Sequence, residues 1–316
     1  MLRKGDLTQG GITTTLLQFT LPMLAGSLLQ QCYNIADTLI VGQCIGANAL
    51  AAVGSAYTLM VFLISILLGL SMGSGTVFSL QYGAGDLSAL RRSIYVSFLL
   101  IGTVTILLNV AVFLWLDPIL RWLQVPYDIY SLMRNYLWII FWGIVFTFLY
   151  NFYAALLRAV GDSVTPLWFL AVSVVLNIGL DLFLILVLDQ GIEGAAVATV
   201  IAQGTAASGI LLYTYKIRPE LRLHREDMRF DRSSLREITS FSTLTCVQQS
   251  VMNFGILMVQ GLVNSFRYGC HGRIRCSSQD RLFRLYARSG VRECFFHLHC
   301  PEFRSAERGS HPPGSA

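Results

Sequence analysis

Again and again between residues 16 and 266 the chain runs for about twenty residues or more with scarcely a charge. Residues 50–77 and 93–115 hold no Asp, Glu, Lys or Arg at all. A helix rises ~1.5 Å per residue, so each run is long enough to cross a hydrocarbon layer of ~30 Å. Lipid offers no partner to backbone N–H and C=O groups, so runs of this kind must satisfy themselves as helices. Spans are expected at roughly 16–41, 50–77, 93–115, 132–155, 165–188 and 193–215, with a seventh at about 238–266. The fold class that follows is an all-α polytopic membrane protein. A soluble alternative is excluded by composition: 54% of the residues are hydrophobic and 13% charged, too little polar side chain to cover a core of this size. No cleavable leader is expected, because Leu2-Arg3-Lys4 is followed by a polar stretch to Thr15 and the first apolar segment lacks a small-residue cleavage site.

The basic residues orient the chain. With the N-terminus inside, the inner segments carry Arg3, Lys4, Arg91, Arg92, Arg158, Lys216, Arg218, Arg222, Arg225, Arg229, Arg232 and Arg236, and the outer segments only Arg121 and Arg134. That asymmetry assigns the N-terminus and the basic 216–237 loop to the cytoplasmic side of a bacterial inner membrane. The loop reads as a topology and lipid-surface signal rather than a nucleic-acid site.

Charges inside a span are costly and need a reason. Asp37, in the last turns of the first span, and Asp181, two turns from the outer end of the fifth, are the clear cases before residue 266. Asn177 precedes Asp181 by four residues and shares its helix face, and Thr199 lies about two turns into the sixth span. With alternating span directions, Asp37, Asp181 and Thr199 all fall about 6–10 Å below the outer surface. Carboxylate, amide and hydroxyl oxygens suit a small hard cation such as Na⁺. Two nearby carboxylates in a poorly solvated site equally suit a shared proton. The alternative is that these groups only tie neighbouring helices together. Gln30, Tyr33 or Asn34, and Asp37 form a polar stripe on one face of the first span, either lining a wet cavity or hydrogen-bonding across helices. Tyr136, near the outer end of the fourth span, either reaches the same region or anchors at the interface. Before residue 266 the one His is His224, and no HExxH motif, Ser–His pair or phosphate-cradling Gly loop is present. An intramembrane enzyme is therefore disfavoured, and no organic cofactor is expected.

Four segments then carry a resemblance: FTLPMLAGSLLQQCYNIADTLIVGQCIGANALAAVG, LLRAVGDSVTP, VLNIGLDLFLIL and GIEGAAVATVIAQ. In this order and spacing they resemble the MATE (multidrug and toxic compound extrusion) transporters over about residues 7–266. The resemblance implies a fold of two six-helix lobes within the MOP superfamily. It also implies export of organic cations or amphipathic drugs through the bilayer in exchange for H⁺ or Na⁺, by a protein monomeric at full length. It assigns cation coupling to Asp37, Asn177, Asp181 and Thr199, with Tyr136 bonded to that cluster, and cavity lining to Gln30, Tyr33 and Asn151. Residues 1–215 would then be the six-helix N-terminal lobe, 216–237 the inter-lobe loop and 238–266 the start of the second lobe. A flippase for lipid-linked saccharides is the competing transport class, but its cavity would need basic residues for phosphate, and the embedded charges here are acidic.

After Phe266 the pattern breaks. Residues 267–316 carry nine Arg and four acids, with Cys270, Cys276, Cys294, Cys300, His271, His297, His299 and His311, and show no apolar run or helical period. The Cys and His spacing fits no common zinc pattern, and the arginines form no nucleic-acid-binding face. A frameshift at or beside the Phe266 codon accounts for the change, since the shifted frame admits an apolar reading like the family's own. The tail is then expected to be unstructured, and the 316-residue product to transport little or nothing.

Overall fold

The computed structural model describes residues 12–223 and 231–269, and every described regular element is helical. The helices are α1 (Ile12–Cys44), α2 (Ala47–Gly83), α3 (Leu87–Trp122), α4 (Tyr127–Trp142), α5 (Ile144–Ala159), α6 (Val164–Leu182), α7 (Gly191–Ile217) and α8 (Arg232–Gly269). A π-helical turn, Phe183–Val187, prolongs α6, and a short 3-10 turn, Pro219–Leu221, follows α7. Among the described residues four helices are long and apolar enough to cross a membrane (α2, α3, α6 with its π turn, and α7), and α4 with α5 makes a fifth span. α1 and α8 are just as long, but Gln30, Gln31, Asn34 and Asp37 dilute the first. Arg232, Arg236, Glu237 and a run of Ser, Thr and Gln dilute the second.

Short links keep successive helices antiparallel. Residues 45–46, 123–126 and 188–190 join helices at one end of the bundle, and residues 84–86 and 160–163 at the other, where α7 also ends and α8 begins. At the second end Gly85 (φ 75°) and Gly161 (φ 86°) take the left-handed conformation that stops a helix without strain. Asp86 then starts α3: its Oδ1 accepts from the Ala89 N–H at 2.9 Å and the Ser88 hydroxyl at 2.8 Å. Those two bonds hold its carboxyl below the usual carboxylate range. Asp162 does similar work at α6, accepting from the Thr165 N–H and hydroxyl, and also pairs with Arg218 at 3.1 Å.

α2 and α7 are the inner helices: α2 packs on α1, α3, α4 and α5, and α7 on α4, α5 and α6. On α7, Gly194, Ala195, Ala196, Ala198, Ala202, Ala206 and Ala207 are all buried, so its neighbours approach closely. Outward-facing residues such as Leu107, Leu114, Val175 and Val187 are mostly exposed, as helices solvated by lipid tails require.

Three features depart from the sequence expectation. The span expected to run unbroken over 132–155 is two helices bent by 48° at Gly143. A Cβ there would stand 2.8 Å from Val200 Cγ2 and 3.1 Å from the Ile140 carbonyl, and the Asn109 amide donates to the Phe141 carbonyl at 2.8 Å beside the break. The 165–188 span ends not as α-helix but in the π turn, which begins two residues after Asp181. α8 begins at Arg232, inside the segment expected to be loop, and continues to Gly269, three residues past Phe266. His224, Arg225 and Arg229 of the basic loop, and the tail from Cys270 with its Cys and His residues, lie outside the described residues.

α8 lies along α2. A Cβ at Gly73 would meet Ser242 Cα at 2.3 Å, and one at Gly69 would meet Cys246 Cα at 2.4 Å. The Ser242 hydroxyl bonds to the Leu70 carbonyl at 3.2 Å and sits 3.4 Å from the Ser74 hydroxyl. Val77, Val96 and Ile238 cluster on one side of this contact, and Phe62 meets Phe254 at 5.8 Å on the other.

Candidate functional site

Three helices bring the polar groups together. On α1 the 3, 4 and 7 spacing places Gln30, Tyr33, Asn34 and Asp37 on one side, and α1 lies chiefly against α6, with less contact to α2 and α7. Asp37 is 8% exposed. On α6 Asn177 and Asp181, one turn apart, are fully buried, and Thr199 on α7 is 3% exposed. The alanines around Thr199 leave room for its short side chain to face α1 and α6.

Thr199 is the hub of the hydrogen bonding. Its Oγ1 donates to the Ala195 carbonyl at 3.0 Å and accepts from Asn177 Nδ2 and from the Tyr33 hydroxyl, each at 3.4 Å. The carboxyl groups of Asp37 and Asp181 face each other within hydrogen-bonding reach. As two carboxylates neither has a hydrogen to give. Asp37 Oδ1, both oxygens of Asp181 and Asn177 Oδ1 accordingly have no donor, and no Lys or Arg among the described residues pairs with either acid. Buried acceptors without donors are rare in native proteins and call for an explanation. Here the donor set itself suggests one: carboxylate, amide and hydroxyl oxygens converge as ligands for a small hard cation or as a seat for a proton. Tyr136 of α4, 4% exposed, lies within electrostatic reach of Asp37, Tyr33 and Asp181.

The other expected residues stand apart from this cluster. Gln30 is exposed. The Asn34 amide donates to Gln31 Oε1 at 3.1 Å and, across to α2, to the Tyr57 hydroxyl at 3.2 Å. Asn151 donates to the Thr147 carbonyl of its own helix at 2.8 Å. Tyr33 links the two groups: it belongs to the polar stripe of α1, yet its hydroxyl reaches Thr199.

Sequence reasoning passed over two elements. Gln203 accepts from the Thr147 hydroxyl at 2.7 Å and ties α5 to α7. It lies four residues after Thr199, so the rule that pairs Asn177 with Asp181 would have found it. The Tyr33–Thr199 bond joins residues 166 apart in sequence, and no local pattern signals it.

The MatE family profile matches residues 22–183. Among curated proteins, the chain is 34% identical over 266 residues to the "Probable multidrug resistance protein YpnP" of Bacillus subtilis, covering 84% of this chain and 59% of that protein. It is 28% identical to the "Multidrug export protein MepA" of Staphylococcus aureus, covering 85% and 59%. Among solved structures, a MOP superfamily transporter from Pyrococcus furiosus superposes with a TM-score of 0.74 at 22% identity, over 80% of this chain and 57% of that one. The chain thus spans less than two thirds of the length of these relatives.

Proposed function

This chain belongs to the MatE family, and on that premise we propose that it is the first lobe and the opening helix of the second lobe of a cation-coupled exporter of organic cations or amphipathic drugs. In this reading residues 1–215 form the first lobe, 216–237 the link and 238–266 the start of the second. The end of the bundle carrying residues 84–86, 160–163 and 218–223 faces the cytoplasm, as its arginines favour. H⁺ or Na⁺ is held by Asp37, Asn177, Asp181 and Thr199 with Tyr136 beside them, and the drug is held on the side of Gln30, Tyr33, Asn34 and Asn151. The two lobes, acting within one full-length monomer, rock about the site to expose it alternately to either side.

The observation that carries the reading is the group of four donorless oxygens on Asp37, Asp181 and Asn177. A mobile cation or proton would satisfy them, and no side chain among the described residues donates to them. The test begins with sequencing genomic DNA across the Phe266 codon, where a one-base correction is expected to open a frame with five further apolar spans. Efflux of a fluorescent organic cation from vesicles, driven by a Na⁺ or a H⁺ gradient, is then compared for that protein and its Asp37→Asn and Asp181→Asn variants. Both substitutions are expected to abolish gradient-driven efflux. Retention of efflux in either one overturns the assignment.

A further inference from the structure

We propose that Tyr33 is a positioning residue that couples the cation to the drug, by occupying with its hydroxyl the Thr199 lone pair that the cation needs. The inference rests on the cation site proposed above and deepens it.

A threonine hydroxyl has one hydrogen and two acceptor lone pairs. In this structure all three are committed: the hydrogen to the Ala195 carbonyl, the lone pairs to Tyr33 and Asn177. A Na⁺ ion ligated by Thr199 needs one of those lone pairs, and so does the O–H of a protonated carboxyl. One donor has to let go. At 3.4 Å both bonds are at the long, weak end of the range, so neither is costly to break.

The surroundings decide which donor leaves. Asn177 is fully buried, one turn from Asp181 on the same helix, and an amide released there leaves a buried donor behind. Tyr33 is half-buried on the α1 stripe, one turn from the exposed Gln30, so its hydroxyl has a way out on that side that the fully buried Asn177 amide lacks. Cation entry therefore displaces Tyr33, and its ring swings toward the stripe, taking up space on the drug side. Conversely, a drug seated on that stripe holds Tyr33 against Thr199 and keeps the cation out. By linkage the two effects are the same: each ligand lowers the affinity for the other by one common factor. Mutual exclusion of this kind is what an exchanger needs and what uniform binding cannot give.

The experiment compares the purified chain with its Tyr33→Phe, Asp181→Asn and Thr199→Ser variants. Na⁺ binding is measured by calorimetry at mildly alkaline pH, against choline chloride as the ionic-strength control. Proton binding is measured in choline chloride from the protonated-carboxyl infrared band as pH is lowered. The titratable groups facing the site, from α1, α4 and α6, are Tyr33, Asp37, Tyr136 and Asp181, and the two arms separate Na⁺ from H⁺ as the ion. Phenylalanine keeps the ring but frees the lone pair. Tyr33→Phe is therefore expected to bind the responsive ion about two- to tenfold more tightly, the worth of one ordinary hydrogen bond. Thr199→Ser keeps the contested hydroxyl, so adding Tyr33→Phe to it is expected to tighten binding by a similar factor. A residue with a merely structural role would, when altered, weaken ion binding, not tighten it. If Asp181→Asn abolishes the response while Tyr33→Phe leaves the midpoint unchanged or weakened, the coupling role of Tyr33 is wrong and the cation site stands. If Asp181→Asn leaves the response intact, or the parent chain responds to neither ion, the cation site itself is wrong and the coupling role falls with it.

Discussion

Replacing Asp181 with Asn should make this protein more stable while disabling it. Both carboxylate oxygens of Asp181 are buried without a donor, and so is the Asp37 Oδ1 that faces it. An amide at position 181 removes one of two adjacent negative charges and supplies an N–H to Asp37. An unsatisfied buried acceptor costs about 1–3 kcal/mol, and a hydrogen bond to a charged group contributes about 1.5–3 kcal/mol. Some of that gain is lost because the amide oxygen still lacks a donor, leaving a net stabilisation on the order of 1–3 kcal/mol. For a protein of this size that is roughly 2–5 °C in Tm. Thermal unfolding of the purified chain in detergent, at mildly alkaline pH without Na⁺, is the assay. Lowering the pH should narrow the gap, because a proton shared by Asp37 and Asp181 gives the parent the donor that the amide gives the variant. If Na⁺ is the ion, adding it should raise the Tm of the parent and not of the variant. An Asp181→Asn protein less stable than its parent would refute the reasoning, since it would mean that the Asp181 oxygens are already satisfied in the fold.

Three further outcomes follow from the packing. Gly143→Ala places a methyl 2.8 Å from Val200 Cγ2 at the α4–α5 break; it should cost about 1–3 kcal/mol in thermal unfolding, and adding Val200→Ala should recover much of the loss. Gly73→Leu drives a side chain into the Ser242 backbone, where a Cβ already stands 2.3 Å away. It should part α8 from α2, seen as faster labelling of the Cys246 thiol, which in the parent lies against Gly69, in a chain whose other cysteines are replaced by Ser. Asp162→Asn uncouples the Arg218 ion pair, whose side chains are only 12% and 13% exposed. Leaving Arg218 short of its partner should cost on the order of 2–4 kcal/mol, whereas Glu220→Gln, at the more exposed and longer contact of 3.5 Å, should cost under about 1 kcal/mol.

How much of this was legible in the sequence depends on whether a residue's reason is local. Asp37 and Asp181 stood out because a carboxylate in an apolar run has no ordinary excuse, and Asn177 followed by helical period alone. Matched depth then put Thr199 beside them, since antiparallel spans of similar length turn sequence distance from an end into height in the membrane. The break at Gly143 has no such signal: a glycine in an apolar run is common, and the groups packed at the break are Val200, 57 residues on, and the Asn109 amide. The π turn after Asp181 is equally silent, since Phe183–Val187 is an ordinary apolar stretch whose hydrogen-bond register changes without a change of residue type. Both hidden features sit where α4, α5 and α6 pass the inner helix α7, the element that also carries Thr199.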